Sequence, residues 1–209
     1  NYYSQAQAIL AEKISNLAFG GKVFFANSGA EANEAAIKLA RAYGEGKRFE
    51  IITMFNSFHG RTLATIAATG QDKVKKGFEP LPVGFKHVEF NKIDSLKAAL
   101  SQNTIAIMLE LIQGEGGINI ASCEYMDAVR EICDKNKLLL IIDEVQTGIG
   151  RTAKMFCYQH YGITPDIITL AKSLGGGLPI GAMVVRNEFA DYLKPGMHAS
   201  TFGGSPIVC

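Results

Sequence analysis

Two charged residues, Asp143 and Lys172, each close an apolar run and each precede a glycine-containing turn. Asp143 ends Leu138-Leu139-Leu140-Ile141-Ile142 ahead of Gln146-Thr147-Gly148. Lys172 ends Ile167-Ile168-Thr169-Leu170-Ala171 ahead of Gly175-Gly176-Gly177. A lysine amine forms a Schiff base with a carbonyl, and a fixed carboxylate keeps a pyridine nitrogen protonated so that the ring draws electrons. Together these are what pyridoxal-phosphate chemistry requires. Taken alone, the pair is better read as two solvated strand ends, so the elements around it decide.

Those elements alternate. Apolar positions Ala6, Ile9, Leu10, Ile14 and Leu17 have a helical period. A short strand at Val23-Phe24-Phe25-Ala26 turns at Asn27-Ser28-Gly29 into a helix with Ala32, Ala35, Ala36, Leu39, Ala40 and Tyr43 on one face, ended by Gly44 and Gly46. Strands follow at 49–54, at 104–110, before Asp143, before Lys172 and at 182–186. Helices are expected after residue 62, near 94–101 and near 124–136, and 70–90 reads as a long connection. Near-continuous apolar strands alternating with helices predict one α/β domain with a mostly parallel sheet covered on both faces.

In open sheets of this kind, ligands bind outside the carboxyl ends of the strands. The unusual clusters fall there. Ser28-Gly29-Ala30 opens a helix directly after a strand, where free N–H groups and the helix dipole suit a phosphate; a plain capped helix start fits it too. Phe58 suits either core packing or stacking on a flat ring. Arg61 has the planar fork that suits a carboxylate, and Glu115, between glycines, could pair with such an arginine or simply face solvent. The Gly175-Gly176-Gly177-Leu178-Pro179 stretch lacks a Gly-Lys-Ser/Thr ending, which disfavours nucleotide hydrolysis. His87, His160 and His198 read as surface or satisfied histidines, and only His59 is a candidate for more.

Bulk properties narrow the classes. The 209 residues carry 21 basic and 20 acidic side chains, net +1, without the basic excess of a nucleic-acid or anionic-membrane partner. Cys123, Cys133, Cys157 and Cys209 are too scattered for a zinc site or disulfide framework, so reduced thiols in the cytoplasm and no metal are expected. No apolar stretch approaches membrane-spanning length. The first residue is not Met and the last four follow a glycine turn, which reads as a segment of a longer protein.

Six motifs in order, residues 27–38 (NSGAEANEAAIK), 58–62 (FHGRT), 113–117 (QGEGG), 143–151 (DEVQTGIGR), 171–177 (AKSLGGG) and 200–204 (STFGG), resemble the class III pyridoxal-phosphate aminotransferases. The resemblance implies the large domain of pyridoxal-phosphate fold type I, with a seven-stranded sheet flanked by helices, spanning residues 1–209. It implies that the family's N-terminal segment and most of its C-terminal small domain are missing, with an arginine that the small domain supplies. It makes Lys172 the lysine that binds the cofactor carbonyl and then moves the substrate proton, and Asp143 the partner of the pyridine nitrogen. Val145 and Phe58 cover the two ring faces, Gln146 reaches the phenolic oxygen, and Glu144 is also expected to contact the cofactor. Gly29 and Ala30 hold the phosphate, which Thr201 of a neighbouring subunit also reaches in a homodimer with shared sites. Arg61, with Ser200 nearby, takes a substrate carboxylate, and Glu115 is the gating glutamate.

Within the class, residues 58–61 and 200–204 point to the group acting on N-acetylornithine, which implies δ-amino transfer to 2-oxoglutarate by a ping-pong route in arginine biosynthesis. Ornithine, succinylornithine, succinyldiaminopimelate and 4-aminobutyrate are the rival donors. A glutamate-semialdehyde aminomutase and a non-catalytic fragment are the rival classes. Three positions depart from the family pattern: Ala153 and Ser205 replace Gly and Asn, and Leu111 stands where Pro is common. All three are expected to be tolerated.

Overall fold

The computed structural model describes residues 3–209. In chain order the elements are α1 (Gln5–Leu17), β1 (Lys22–Ala26), α2 (Gly29–Tyr43), β2 (Glu50–Met54), α3 (Leu63–Ala68), β3 (Phe85–Val88), α4 (Ile93–Ala99), β4 (Thr104–Leu109), β5 (Ile112–Gln113), β6 (Asn119–Ile120), α5 (Cys123–Asn136), β7 (Leu139–Asp143), β8 (Ile167–Leu170), β9 (Gly181–Val185) and α6 (Asn187–Ala190). As expected, seven strands form one sheet; its order is β1-β9-β8-β7-β4-β2-β3, and β5 and β6 form a separate two-stranded ribbon. The run from β8 through β7, β4 and β2 to β3 is parallel, whereas β9 is antiparallel to both β8 and β1.

Every residue of β4, β7 and β8 is buried. Their apolar runs do not alternate because both sheet faces are covered. On one face Ile107, Leu109, Leu140 and Ile142 pack against Met126, Val129 and Cys133 of α5 and Leu96 of α4. On the other, Ala106, Met108, Leu139 and Ile141 meet Ala35, Ala36, Leu39 and Ala40 of α2. The alanine face brings α2 close across β9, β8 and β1, which sets the helix start beside the strand ends. Each fully buried Leu or Ile contributes about 1.5–3 kcal/mol relative to exposure.

Three differences from the sequence reading have local causes. β3 lies inside the stretch read as a connection. Four residues long and edge-located, Phe85-Lys86-His87-Val88 pairs with β2 alone and carries a lysine, as edge strands do. The glycine loop after β4 contains the β5–β6 ribbon. Finally, β8 stops at Leu170, and Lys172 opens a tight 3-10 turn with φ +43° instead of extending the strand.

Two of the departing positions can be placed in the fold. Leu111 is fully buried in the core. Ala153 has φ +67°, a left-handed conformation that glycine enters freely. Alanine there costs about 1–2 kcal/mol, partly offset by glycine's greater chain entropy when unfolded. Ala153→Gly is therefore expected to stabilise the chain by roughly 0.5–1 kcal/mol, read as a higher urea midpoint at unchanged slope.

Candidate functional site

A cleft of about 400 Å³ opens at the carboxyl ends of the parallel strands. One end is the start of α2. Ser28 caps this 15-residue helix, its hydroxyl accepting the Glu31 N–H at 3.2 Å, while the Glu31 carboxylate accepts the Asn27 N–H at 2.8 Å. That leaves the N–H groups of the Gly29-Ala30 turn for an anion. A Cβ on Gly29 would stand 2.7 Å from Val145 Cγ1, so only glycine lets this turn lie against the Val145 wall. The Gln146 amide packs onto Gly114 so closely that any side chain there would displace it.

Asp143 ends β7 on the α2 side of the sheet and is 3% exposed. Its Oδ2 accepts the Asn33 amide at 2.8 Å and the His59 Nδ1–H at 2.8 Å, and its Oδ1 accepts the Val145 N–H at 3.0 Å. A carboxylate only accepts, so His59 carries its proton on Nδ1. His59 Nε2 is buried without a partner. Burial opposes the charged imidazolium, but the Asp143 hydrogen bond and the charges of Asp143 and Glu110 outweigh it and raise His59 above its ordinary value. Asn33 is itself fixed: its other contacts are the His59 carbonyl at 2.7 Å and the Thr169 hydroxyl at 2.6 Å. The carboxylate is thereby aimed by a buried shell drawn from α2, β8 and the loop after β2.

Lys172 is exposed at the cleft, two residues beyond β8. A left-handed lysine costs of order 1–3 kcal/mol, and such strain persists where the surrounding fold holds a side chain in a functional direction. Phe58 forms an aromatic wall, with the Arg61 guanidinium 5.4 Å above its ring centroid. Glu115 lines the same cleft but forms no ion pair with Arg61.

Nine of the residues singled out from the sequence thus share one cleft: Gly29, Ala30, Phe58, Arg61, Glu115, Asp143, Val145, Gln146 and Lys172. Ser200 and Thr201 do not. They line a neighbouring cavity of about 530 Å³ with Glu34, Lys38 and His198, joined to the cleft through Asn27, whose amide donates to Ser200 Oγ at 3.0 Å. Glu144 corrects the expectation of a cofactor contact. The β-ladder continues through the Glu144 N–H to the Thr169 carbonyl, so the next side chain after Asp143 points to the opposite face. There its carboxylate accepts the N–H groups of Cys157 and Tyr158, both at 2.8 Å, and the Thr147 hydroxyl at 3.0 Å. Burial raises the Glu144 carboxyl, and these three hydrogen bonds counter it.

Asn33, Thr169 and Glu110 were not identified from the sequence. Asn33 left one sign, a polar residue within the alanine-rich buried face of α2. Among the described residues, no group of three or more His, Cys, Asp or Glu is placed to hold a metal ion. No helix among them is long and apolar enough to cross a membrane.

The cleft lies at the carboxyl edge of a mostly parallel sheet, where α/β folds bind ligands, and joins a helix start with free N–H groups, an aromatic wall, a valine wall, a buried carboxylate and an exposed lysine. The class-III aminotransferase profile matches residues 2–209, and the chain belongs to that family. Among known proteins, acetylornithine aminotransferase of Caldanaerobacter subterraneus subsp. tengcongensis is 61% identical over all of this chain and 54% of its own length. The acetylornithine aminotransferase of Methanocaldococcus jannaschii is 54% identical over all of this chain and 53% of its own. An ornithine aminotransferase structure from Toxoplasma gondii, described with partial occupancy of PLP at its active site, superposes with a TM-score of 0.94 at 34% identity. It covers all of this chain and 51% of that one. The chain spans about half the length of the curated relatives it matches.

Proposed function

We propose that the chain is the large, cofactor-binding domain of a pyridoxal-phosphate aminotransferase that moves the δ-amino group of N2-acetylornithine to 2-oxoglutarate. The observation that carries this is the placement of Asp143, held by three N–H donors, in one cleft with Lys172 and the Gly29-Ala30 helix start. The residues fit the cofactor's parts. The gap that only glycine leaves at position 29 suits a phosphate on the helix start. Phe58 and Val145 suit the two faces of a flat ring, and Gln146 suits its phenolic oxygen.

When bound, pyridoxal phosphate supplies a carbonyl carbon that exchanges amines and a ring that accepts electrons. Asp143 would hold a proton at the ring nitrogen, its carboxylate fixed in direction by the Asn33, His59 and Val145 donors. Lys172 would hold the cofactor through its amine, and that amine, once free, would be the group placed to carry the substrate proton. Arg61 binds a substrate carboxylate, with Glu115 available to gate that arginine between donor and acceptor.

Ser200 and Thr201, in the adjoining cavity, serve a shared site. Thr201 reaches the phosphate of a second copy in a homodimer, and Ser200 stands at the substrate end. The cytoplasm, where biosynthetic amino donors and 2-oxoglutarate meet, is the proposed location. The choice of N2-acetylornithine rests on the 61% and 54% identities to acetylornithine aminotransferases. Half-reactions of the cofactor-loaded, full-length protein with acetylornithine, ornithine and 4-aminobutyrate test it. Acetylornithine is expected to convert the cofactor fastest, and a preference for 4-aminobutyrate would overturn the assignment.

A further inference from the structure

Glu110 is a buried carboxyl on the cleft wall that has no part in the proposed chemistry. It directly follows β4, and because Leu109 pairs with Ile142, it stands level with Asp143. Its Oε2 accepts the Phe58 N–H at 2.9 Å. Phe58 in turn supplies the aromatic wall and carries the Arg61 guanidinium on its ring. One carboxyl therefore anchors the segment that forms both the ring-stacking wall and the carboxylate-binding group.

The charged and titratable groups facing Glu110 are His59 and Asp143, which form the buried pair beneath the cleft, and Lys172 from the turn after β8. We propose that Glu110 is a positioning residue: through the Phe58 N–H it fixes the Phe58 wall and the Arg61 stacked on it, and it transmits the charge state of the buried His59–Asp143 pair to that wall. The physical reason is acceptor strength. An ionised carboxylate holds an amide N–H by a charge-assisted bond about twice as strong as the bond a neutral carboxylic acid makes.

Burial pushes the Glu110 carboxyl up to about 7, with Asp143 adding to the rise and His59, the Phe58 N–H and Lys172 opposing it. The strong and weak forms of the anchor therefore exchange in the neutral range, where a change in the charge of the His59–Asp143 pair alters their balance. The inference rests on the proposed function only in naming what the wall and Arg61 bind. The hydrogen bond itself is independent of any cofactor.

The test follows the Phe58 amide by 15N NMR from about pH 5 to about pH 9 in the cofactor-free, full-length protein. It compares wild type with Glu110→Gln, which keeps the shape and an acceptor oxygen. In wild type the Phe58 resonance is expected to titrate with a midpoint of about 7, and in Glu110→Gln it should be flat over that range. A thermal readout runs alongside. A carboxyl raised by folding stabilises the fold fully below the ordinary carboxylate range and loses that contribution as pH rises through about 7. Wild type should thus lose more of its thermal midpoint than Glu110→Gln between acid and alkaline buffer.

Pyridoxal phosphate added to the same samples should bind wild type with a pH dependence roughly three- to tenfold steeper than that of Glu110→Gln. A Phe58 amide that does not titrate, or that keeps its midpoint in Glu110→Gln, overturns the inference. If wild type fails to bind pyridoxal phosphate while the Phe58 titration behaves as expected, the proposed function falls and the anchor stands.

Discussion

Asp143→Asn is expected to reduce the rate of amino-group transfer in the full-length protein by roughly 10²–10³-fold or more, the usual loss on removing a preorganised electrostatic partner. The substitution is nearly isosteric, yet it cannot satisfy the site. Oδ2 accepts two donors, from Asn33 and His59, and Oδ1 accepts a third from Val145. An asparagine offers one oxygen. If that oxygen keeps Asn33 and His59, its NH₂ faces the Val145 N–H; if it turns to Val145, its NH₂ faces the Asn33 amide. Either way a buried donor loses its acceptor, at about 1–3 kcal/mol. Two losses should appear together, a lower urea midpoint in the cofactor-free protein and a slower donor half-reaction. A variant within about threefold of the wild-type rate would show that the carboxylate charge is not what the cofactor ring uses.

Glu144→Ala should have the largest effect on stability and a small one on the cleft. Its carboxylate is the shared acceptor for two buried backbone N–H groups, of Cys157 and Tyr158, and for the Thr147 hydroxyl. Truncation strands all three, and at about 1–3 kcal/mol for each buried donor left without its acceptor the total loss should be about 3–5 kcal/mol or more. At roughly 2–4 °C per kcal/mol for a domain of this size, the thermal midpoint should fall by about 10 °C. Below that midpoint, cofactor attachment to Lys172 should persist, because Glu144 faces away from the cleft. Equal loss of attachment and of stability would instead place Glu144 in the site.

The contrast between these neighbours shows what could and could not be read from the sequence. The strand ends were legible because fully buried strands of a parallel sheet are apolar runs, and ligands gather at their carboxyl ends. Gly29, Phe58, Asp143 and Lys172 could therefore be assigned to one edge without coordinates. Side-chain direction was harder to read. That Glu144 turns away depends on the ladder continuing one residue past β7, a matter of backbone pairing with Thr169. β3 was hidden because an edge strand bonded on one side needs little hydrophobic content. The shell around Asp143 was mostly hidden for another reason: Asn33, His59 and Thr169 meet only after α2, β8 and the loop after β2 have packed around β7, and Asn33 and Thr169 alone resemble ordinary polar residues. Glu110 belongs to the same class, a strand-end carboxyl whose significance comes from the Phe58 amide it holds.

The central claim is that Lys172 and Asp143 form the working pair of a pyridoxal-phosphate site, and covalent labelling tests it most directly. The full-length protein is incubated with pyridoxal phosphate, reduced with borohydride, digested and mapped by mass spectrometry. The prediction is a single pyridoxyl group on the peptide carrying Lys172, absent from Lys172→Ala and weakened in Asp143→Asn. A label on any other lysine, or no label on the wild-type protein, would contradict the assignment.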